Sequence, residues 1–391
     1  MSCHCIKRFF DAARSTMSND DAIIEQRAET HDEENQIMEG GRLLDQGLYG
    51  CLFTPQLLCK GTSKVPRTSR VKPMISKLIS KETALLEHAI GERIRRIPFW
   101  RHYFAVSESI CLPAEKQVDR DMALCEPLKH EMFDNFRILS MRYGGSSLSN
   151  VRFALQEFDL LGFVKHLLEA GALLTLHGVV HRDIHSKNII VDSHYVPRII
   201  DFNLSIQDYQ RVTTNDLTHQ YSPTLMQLPP DYVLMNALQR VHSSRKIILT
   251  YEKVAQDILY KRQFTKKMAS VLGFSMEDMK SKMDAFYAYI SSQAQAEQKN
   301  NLVHWFHEFW PVIDSWAIGA NVVQLISHLS QWPQFQGIWN TVKMKLLPVL
   351  RGLCAIHPLE RMDCVEALHI LNPGNRVIAK FGVQWLMERA K

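Results

Sequence analysis

The chain has 391 residues, of which 46% are hydrophobic and 22% are charged, and its formal net charge is +5. These values are typical of a globular protein with a sizeable core and exclude a wholly disordered chain. The mild positive charge suits an acidic ligand such as a nucleotide. It is too small to indicate nucleic-acid binding, and we expect no nucleic-acid partner.

Cysteine usage and the first residues bear on the cellular location. Eight cysteines are scattered without a Cys-x-x-Cys motif, which is typical of reduced thiols in the cytoplasm. The first ten residues, "MSCHCIKRFF", lack the apolar run of a signal peptide, so we expect a protein that is not secreted. The longest apolar stretch, 159–180, is interrupted by Lys165, His166 and Glu169 and predicts a buried helix instead of a membrane span.

In chain order, a polar segment is followed by a strand-rich part and then by a helical part. Acidic and amide side chains dominate residues 11–39, which predicts disorder for 1–39. Strands are expected within 40–55, at "MISKLI" (74–79) and at 136–143. Helices are predicted at 81–97, with Leu85, Leu86, Ala89, Ile90 and Ile94 on the buried face and Pro98 as the stop, and at 155–177, 232–300, 312–330, 338–356 and 362–371. The pattern predicts an α+β fold.

A glycine-rich hairpin opens the structured part. In "LLDQGLYGCLF" (43–53), Gly47 and Gly50 flank Tyr49, and glycines let backbone N–H groups approach a polyphosphate closely. An ordinary hairpin explains the same pattern. Lys77, on the next predicted strand, could reach the α- and β-phosphates if a glutamate held its ammonium group in place.

Three glutamates of the following helix compete for that role. We favour Glu87 over Glu82 and Glu92, because Ile90 and Ile94 follow Glu87 at +3 and +7 and place it beside the buried face. Glu92 is the second choice.

The stretch "VVHRDIHSKNIIVD" (179–192) carries the strongest chemical signal. Phosphoryl transfer needs a carboxylate that orients and deprotonates the attacking hydroxyl, and it needs oxygen ligands that hold Mg²⁺ against the phosphates. Asp183, Asn188 and Asp201 supply these groups in order, since Asp201 follows Asn188 by 13 residues in "DFN".

These residues together resemble the signature set of protein kinases. The resemblance runs from about Leu43 to Leu371. It continues in "LPPDYVL" (228–234), "DSWAIG" (314–319) and "HPLERMDCVEAL" (357–368), where Arg361 is expected to pair with Asp231. It implies a bilobal kinase fold with a small β-rich N-lobe at 40–145, a helical C-lobe at 146–391 and a helical insertion at about 235–310.

The same resemblance implies ATP and Mg²⁺ as cofactors and a protein as substrate. Asp183 would be the catalytic base, assisted by Lys187 or His185, and Asn188 and Asp201 would hold the metal. The expected nucleotide-binding residues are Gly47, Tyr49, Gly50, Leu52, Lys77, Glu87, the gatekeeper Met141 and the hinge residue Tyr143.

The forms "GLYGCLFTPQLLC" and "MRYGGSSL" are most similar to Ser/Thr kinases of nucleocytoplasmic large DNA viruses. That likeness implies a location in the host cytoplasm or the virion, and otherwise the cytoplasm. The oligomeric state is not indicated.

Three positions depart from the kinase pattern. Asp45 replaces the first glycine of the hairpin, and Asn203 replaces the glycine of Asp-Phe-Gly, where an asparagine still tolerates a positive φ. His185 stands two residues after Asp183, where Ser/Thr kinases carry lysine, and Lys187 stands at +4. Either cation could neutralise transition-state charge.

Two other functions stay open at this point. "DIH" also occurs in small-molecule phosphotransferases of the aminoglycoside or choline kinase type, and the three departures would suit a nucleotide-binding pseudokinase scaffold. Arg182 suggests regulation through a phosphorylated loop, with Thr213, Thr214, Thr218, Tyr221 and Ser222 as acceptors, although an unmodified loop is equally compatible. The basic insertion could be a docking surface or a structural helix pair.

Overall fold

A five-stranded antiparallel sheet opens the described part of the chain. The computed structural model describes residues 41–47, 50–62, 74–115, 117, 124–126, 133–218, 225–239, 241, 243–297 and 302–389. The strands are β1 (Arg42–Gly47), β2 (Gly50–Thr54), β3 (Met74–Ser80), β4 (Ser109–Cys111) and β5 (Phe136–Arg142). Their spatial order is β1-β2-β3-β5-β4. The segment expected to be disordered, 1–39, lies outside the described residues.

Helix α1 (Lys81–Ile94) follows β3 directly and packs against β5. Its buried residues are Ala84, Ile90, Gly91 and Ile94. The predicted burial of Leu85, Leu86 and Ala89 was wrong, since all three are exposed, Leu85 and Leu86 at 51% and 56%. The reason is that three of the four buried residues stand in the C-terminal half of the helix, whereas only Ala84 is covered in the first turns.

Two disulfides cross-link this sheet region, and they correct the expectation of reduced thiols. Cys51 of β2 is bonded to Cys125, and Cys59 is bonded to Cys111 of β4. Their Cα atoms are 6.0 and 5.8 Å apart, within the range that a disulfide spans without backbone movement. The partners are 74 and 52 residues apart in sequence, so only the closed sheet brings them together. Cys354 and Cys364 are buried free thiols, and Cys3 and Cys5 lie outside the described residues.

The rest of the described chain is mainly helical. Its helices of four or more residues are α2 (Trp100–Tyr103), α3 (Leu160–Leu176), α4 (Thr214–Leu217), α5 (Pro230–Leu238), α6 (Ser244–Gln256), α7 (Gln263–Leu272), α8 (Met276–Glu297), α9 (Leu302–Phe309), α10 (Ile313–Leu329), α11 (Pro333–Leu353), α12 (Cys364–Leu371) and α13 (Val383–Arg389), with π-helical turns at Asp257–Lys261 and Ile378–Gly382. The predicted α+β fold is confirmed: a small antiparallel sheet precedes a larger helical region, in agreement with a kinase fold.

A small second sheet is formed by short strands that lie on either side of α3 in the sequence. It consists of β6 (Ser146–Ser147), β7 (Ile189–Val191) and β8 (Pro197–Ile199), in the order β6-β7-β8. The long apolar stretch before β7 forms the buried helix α3, which begins at residue 160 instead of 155 because the Asp159 side chain caps it by accepting from Gly162 N. None of the helices described is both long and apolar enough to cross a membrane.

The segment expected as an insertion, 235–310, contributes to the same hydrophobic core as the remaining helices. Val254, Ile258, Phe264 and Met268 are each at most 3% exposed and belong to one cluster with Trp316 of α10. The segment is therefore part of the packed helical region. The limits of the two lobes, 40–145 and 146–391, remain predictions; residues 39–391 form one compact unit by their contacts.

Candidate active site

The β7–β8 hairpin brings Asn188 and Asp201 to the same end of the small sheet. Ile189 pairs with Ile199 in antiparallel register, and Ile200 N donates to Asn188 O over 3.0 Å. Asn188 therefore stands just before one strand while Asp201 stands just after its partner. The 13-residue spacing seen in the sequence is the length of this hairpin.

Buried hydrogen bonds from α10 fix the loop before β7. Asp314 Oδ2 accepts from His181 N at 2.6 Å, and Asp314 Oδ1 accepts from Arg182 N at 2.8 Å. Burial raises the pKa of Asp314, opposed by His181 and Arg182. Asn321 Nδ2 of the same helix donates to Ile184 O over 2.9 Å. The loop is thus held on both sides of Asp183 by one helix.

Asp183 is a half-buried carboxylate with three polar neighbours. Its Oδ1 accepts from Gln227 Nε2 at 3.0 Å, and its Oδ2 lies 3.3 Å from Asn188 Nδ2 and 3.6 Å from His185 Nε2. Burial acts to raise the pKa of Asp183, but the hydrogen bond and charge of His185 and the hydrogen bond from Gln227 outweigh it and lower that pKa. An ionised carboxylate results, which suits a proton acceptor.

Gln227 was missed in the sequence. Its position just before "LPPDYVL" is the only signal, and nothing there indicates contact with a residue 44 positions away. The contact depends on Trp316, whose Nε1 donates to Met226 O over 2.8 Å and holds the chain next to Gln227.

The two candidate cations beside Asp183 lie in different places. His185 is within 3.6 Å of the carboxylate, whereas the Lys187 side chain is exposed. Lys187 N donates to His185 Nδ1 over 3.2 Å, so the proton of a neutral His185 would be on Nε2, facing Asp183. The structure therefore brings His185, and not Lys187, to Asp183.

Asn188 and Asp201 offer oxygen atoms of the kind that Mg²⁺ prefers. Asn188 Nδ2 is engaged with Asp183 O (3.0 Å) and Asp183 Oδ2, which leaves the amide oxygen as the free ligand atom. Asp201 is exposed, and no side-chain hydrogen bond caps the turn that follows it. One amide oxygen and one carboxylate, completed by phosphate and water, fit an octahedral magnesium site.

Lys77 and Glu87 form an ion pair across the β3–α1 junction. Lys77 Nζ lies 2.6 Å from Glu87 Oε2, with side chains 22% and 13% exposed. Glu92, the second choice from sequence, is 57% exposed and faces Arg95 instead. The contact expected between Lys77 and Glu87 is therefore present. In the sheet, Lys77 pairs with Leu52 of β2 on one side and with Leu139 of β5 on the other.

Gly50 of the glycine hairpin, which pairs with Gly47, is closely covered by β3. A Cβ atom on Gly50 would stand 2.2 Å from Leu78 O, so no larger residue fits without displacing β3. Tyr49 lies outside the described residues. Asp45 is exposed and accepts from Gln46 N at 2.8 Å, next to a register shift in β1.

The chain leaves the large sheet after β5. Met141 pairs with Ile75 of β3 and packs beside Leu139, and Tyr143 follows the end of β5. The next two residues approach β7 closely: a Cβ atom on Gly144 would lie 2.3 Å from Ile190 Cδ1, and one on Gly145 2.0 Å from Val191 O.

Asn203 does not use the positive φ that an asparagine tolerates. It lies in the 3₁₀ turn Phe202–Leu204, and the left-handed conformations are at Arg182 (φ 67°) and Asp201 (φ 62°). The strained backbone conformation of this turn thus lies at Asp201, two residues before Asn203. Phe202 is buried against His181 and Phe104, with ring centroids 4.6 and 5.7 Å apart.

A buried ion pair joins the start of α5 to the segment just before α12. Arg361 Nη2 lies 2.7 Å from Asp231 Oδ1, and these side chains are 0% and 1% exposed. The Arg361 guanidinium also stands over the ring of Trp316 at 5.1 Å. The expected partners are therefore paired.

Some hydroxyl groups named as phosphate acceptors are already engaged. Thr213 caps α4 and donates to Asp216 Oδ2 over 2.6 Å, and Thr218 donates to Thr214 O over 2.7 Å. Tyr221 and Ser222 lie outside the described residues.

Comparison with known proteins points to one family. Residues 127–238, which include the catalytic loop, both proposed metal ligands and Gln227, match the family described as protein tyrosine and serine/threonine kinase. The chain is also similar to the dual specificity protein kinase zak2 of Dictyostelium discoideum, with 34% identity over 82 residues. That alignment covers 21% of this chain and 12% of the relative. The chain thus matches the kinase family over residues 127–238, and the fold around this segment agrees with a kinase fold.

Proposed function

We propose that the chain is an ATP- and Mg²⁺-dependent protein kinase that transfers the γ-phosphate to serine and threonine hydroxyls of proteins. The observation that carries this proposal is the environment of Asp183. It is an ionised carboxylate next to Asn188, at the hairpin end that also carries Asp201, on a loop anchored by Asp314. Such a carboxylate would orient the substrate hydroxyl and accept its proton.

The remaining residues would divide the work on the nucleotide. Lys77, held by Glu87, would contact the α- and β-phosphates, and the backbone between Gly47 and Gly50 would cover them. Asn188 and Asp201 would hold Mg²⁺, which neutralises phosphate charge when bound. Leu52, Met141 and Tyr143 would line the site of the adenine. His185 Nε2 would offer its proton to the γ-phosphate from beside Asp183.

The preference for serine and threonine over tyrosine is part of the proposal. The matched family includes kinases of both kinds, and the similar Dictyostelium protein is named as dual specificity. We infer Ser/Thr transfer from the kinase resemblance in the sequence, and tyrosine transfer is the outcome that would revise it.

The test is phosphate transfer by the purified full-length chain. With labelled ATP and Mg²⁺, we expect incorporation into the chain itself and into generic protein substrates, with phosphoserine and phosphothreonine after hydrolysis. Mass spectrometry would locate the sites and show whether Thr213, Thr214, Thr218, Tyr221 or Ser222 is used. Transfer to small alcohols without transfer to proteins would favour a small-molecule phosphotransferase. ATP binding without any turnover would favour a pseudokinase.

A viral origin and a location in the virion or host cytoplasm are also proposals, supported by sequence motifs. The disulfides bear on the choice, because such bonds persist in oxidising surroundings and are rare in the cytosol. They favour the virion over the cytoplasm. Alkylation of freshly lysed material, followed by non-reducing peptide mapping of Cys51–Cys125, would decide between the two: alkylated Cys51 would indicate a reducing location.

A further inference from the structure

Asn203 makes a contact for which a glycine at the same position has no side chain. Its Nδ2 donates to Glu87 Oε2 over 3.2 Å, and the same oxygen accepts from Lys77 Nζ at 2.6 Å. Asn203 and Glu87 are 116 residues apart in sequence. One carboxylate oxygen thus joins strand β3, helix α1 and the turn that follows Asp201.

The turn presents the Asn203 amide from a well-supported backbone. Phe202 beside it is buried, and Ser205 N closes the turn by donating to Phe202 O over 2.9 Å. Helix α1 packs against this turn. The Oδ1 atom of Asn203 is buried and has no hydrogen-bond partner among the described residues. Buried polar atoms are rarely left unpaired, so the burial of this oxygen is unfavourable. The hydrogen bond from the amide nitrogen to Glu87 opposes that cost.

We propose that Asn203 is a positioning residue that ties Glu87 to the Asp201 turn and so couples the phosphate-binding lysine to the metal-binding turn. This inference rests on the proposed function. A hydrogen bond to an ionised carboxylate is about twice as strong as one between neutral groups. Glu87 is carried by the helix packed on the sheet, and Asn203 belongs to the segment after β8. The bond therefore connects the two regions that a nucleotide would bridge.

Hydrogen–deuterium exchange of the nucleotide-free chain tests the link without activity. In Asn203→Ala, amides of residues 81–94 should exchange about tenfold faster, since one charge-assisted hydrogen bond no longer restrains the helix. Asn203→Asp keeps the side-chain volume and should exchange faster still, because its carboxylate faces that of Glu87. Asn340→Ala, at an exposed asparagine of α11, is the matched control and should leave residues 81–94 unchanged.

A double-mutant cycle then tests the coupling. With a fluorescent ATP analogue and Mg²⁺, Asn203→Ala should weaken binding about tenfold in the wild-type background. In a Glu87→Ala background the same change should have little effect, because the acceptor is already absent. Additive effects would overturn the proposal, as would equal exchange of residues 81–94 in Asn203→Ala and the wild type.

Failure of the proposed function would look different. A wild-type chain that binds no ATP analogue would contradict a kinase, while the exchange experiment would still report whether Asn203 restrains Glu87. A kinase that is active, with additive effects in the cycle, would contradict only the role of Asn203. Melting temperatures of all variants identify any that fail to fold, and Asn203→Asp then serves in place of Asn203→Ala.

Discussion

The loop that carries Asp183 and the large sheet are held by different means. Four fully or nearly fully buried polar side chains surround the loop: His181, Arg182, Asp314 and Asn321 are each at most 7% exposed. The sheet has two small hydrophobic clusters of its own, two disulfides and a partly exposed ion pair. Regions with few buried contacts open at lower free energy. The groups proposed to handle protons and metal would therefore be set in advance, whereas the proposed phosphate-binding side could adjust.

The largest effect should come from the loop itself. Asp183→Asn removes the proton acceptor, and we expect kcat to fall about 10³-fold. Because Asp314, and not Asp183, anchors the loop, the melting temperature should stay close to that of the wild type.

Kinase assays and thermal melts of Asp183→Asn check this contrast, with Asp134→Asn on an exposed turn as the control. Full activity in Asp183→Asn would rule out its role as the base. A large loss of stability would mean that the loop needs the Asp183 carboxylate to keep its structure.

Breaking the buried ion pair of the helical region should lower the stability of the whole domain. Arg361→Met leaves the Asp231 carboxylate buried without its partner, so the free energy of unfolding should fall by about 3–5 kcal/mol. The double variant Asp231→Leu/Arg361→Met should recover most of that loss, because neither charge remains. Chemical denaturation measures both. A single variant as stable as the wild type would show that the pair contributes nothing.

Removing a disulfide should instead loosen only the sheet. Cys51→Ser/Cys125→Ser should lower the free energy of local unfolding of the sheet region by about 2–4 kcal/mol through greater freedom of that segment once it is unfolded. Hydrogen–deuterium exchange of the amides should become faster in β1, β2 and β3, and the exchange rates of α10 should be unchanged. The Cys59–Cys111 bond closes a loop of comparable length, so Cys59→Ser/Cys111→Ser should have a similar effect. Equal loosening of α10 would erase the contrast between the two regions.

The smallest effect concerns pH and compares one histidine from each region. Burial, aided by the charge of Arg95, lowers the pKa of His88 on α1. Burial also lowers the pKa of His166 on α3, against the opposing influence of the His102 carbonyl and Glu169. A lowered pKa means that the unfolded chain binds protons first, so stability present above pH 6.5 is lost as the pH falls through the folded values.

Denaturation between pH 7.5 and 5.5 measures this decrease. His166→Gln and His88→Gln should each flatten the curve. We expect the flattening to be greater for His166, which is more deeply buried. Unchanged curves for both variants would exclude these histidines as the cause.

Local patterns allowed much of the site to be predicted. Asp183, Asn188 and Asp201 lie within 19 residues, and Glu87 could be chosen because its helix spacing to Ile90 and Ile94 is a local property. Strand and helix types followed from periodicity, and helix starts shifted by a few residues where caps such as Asp159 decide them.

Contacts across long sequence separations could not be predicted in this way. The pairing of Cys51 with Cys125 requires the finished sheet, and the approach of Gln227 to Asp183 requires Trp316 to hold the neighbouring backbone. The left-handed conformation in this turn lies at Asp201, two residues before Asn203, and the sequence did not indicate this position. Each depends on tertiary packing that a single sequence does not display.

The Arg182 guanidinium bears on how phosphorylation of the neighbouring segment would act. Its Nε donates to Leu204 O over 2.8 Å, and Nη1 donates to Asp216 O, so backbone carbonyls already hold this cation. A phosphate added to the same segment would have to displace those carbonyls before it could bind the arginine. Phosphorylation would thus compete with these hydrogen bonds of Arg182. The described part of the segment is ordered by them without any phosphate.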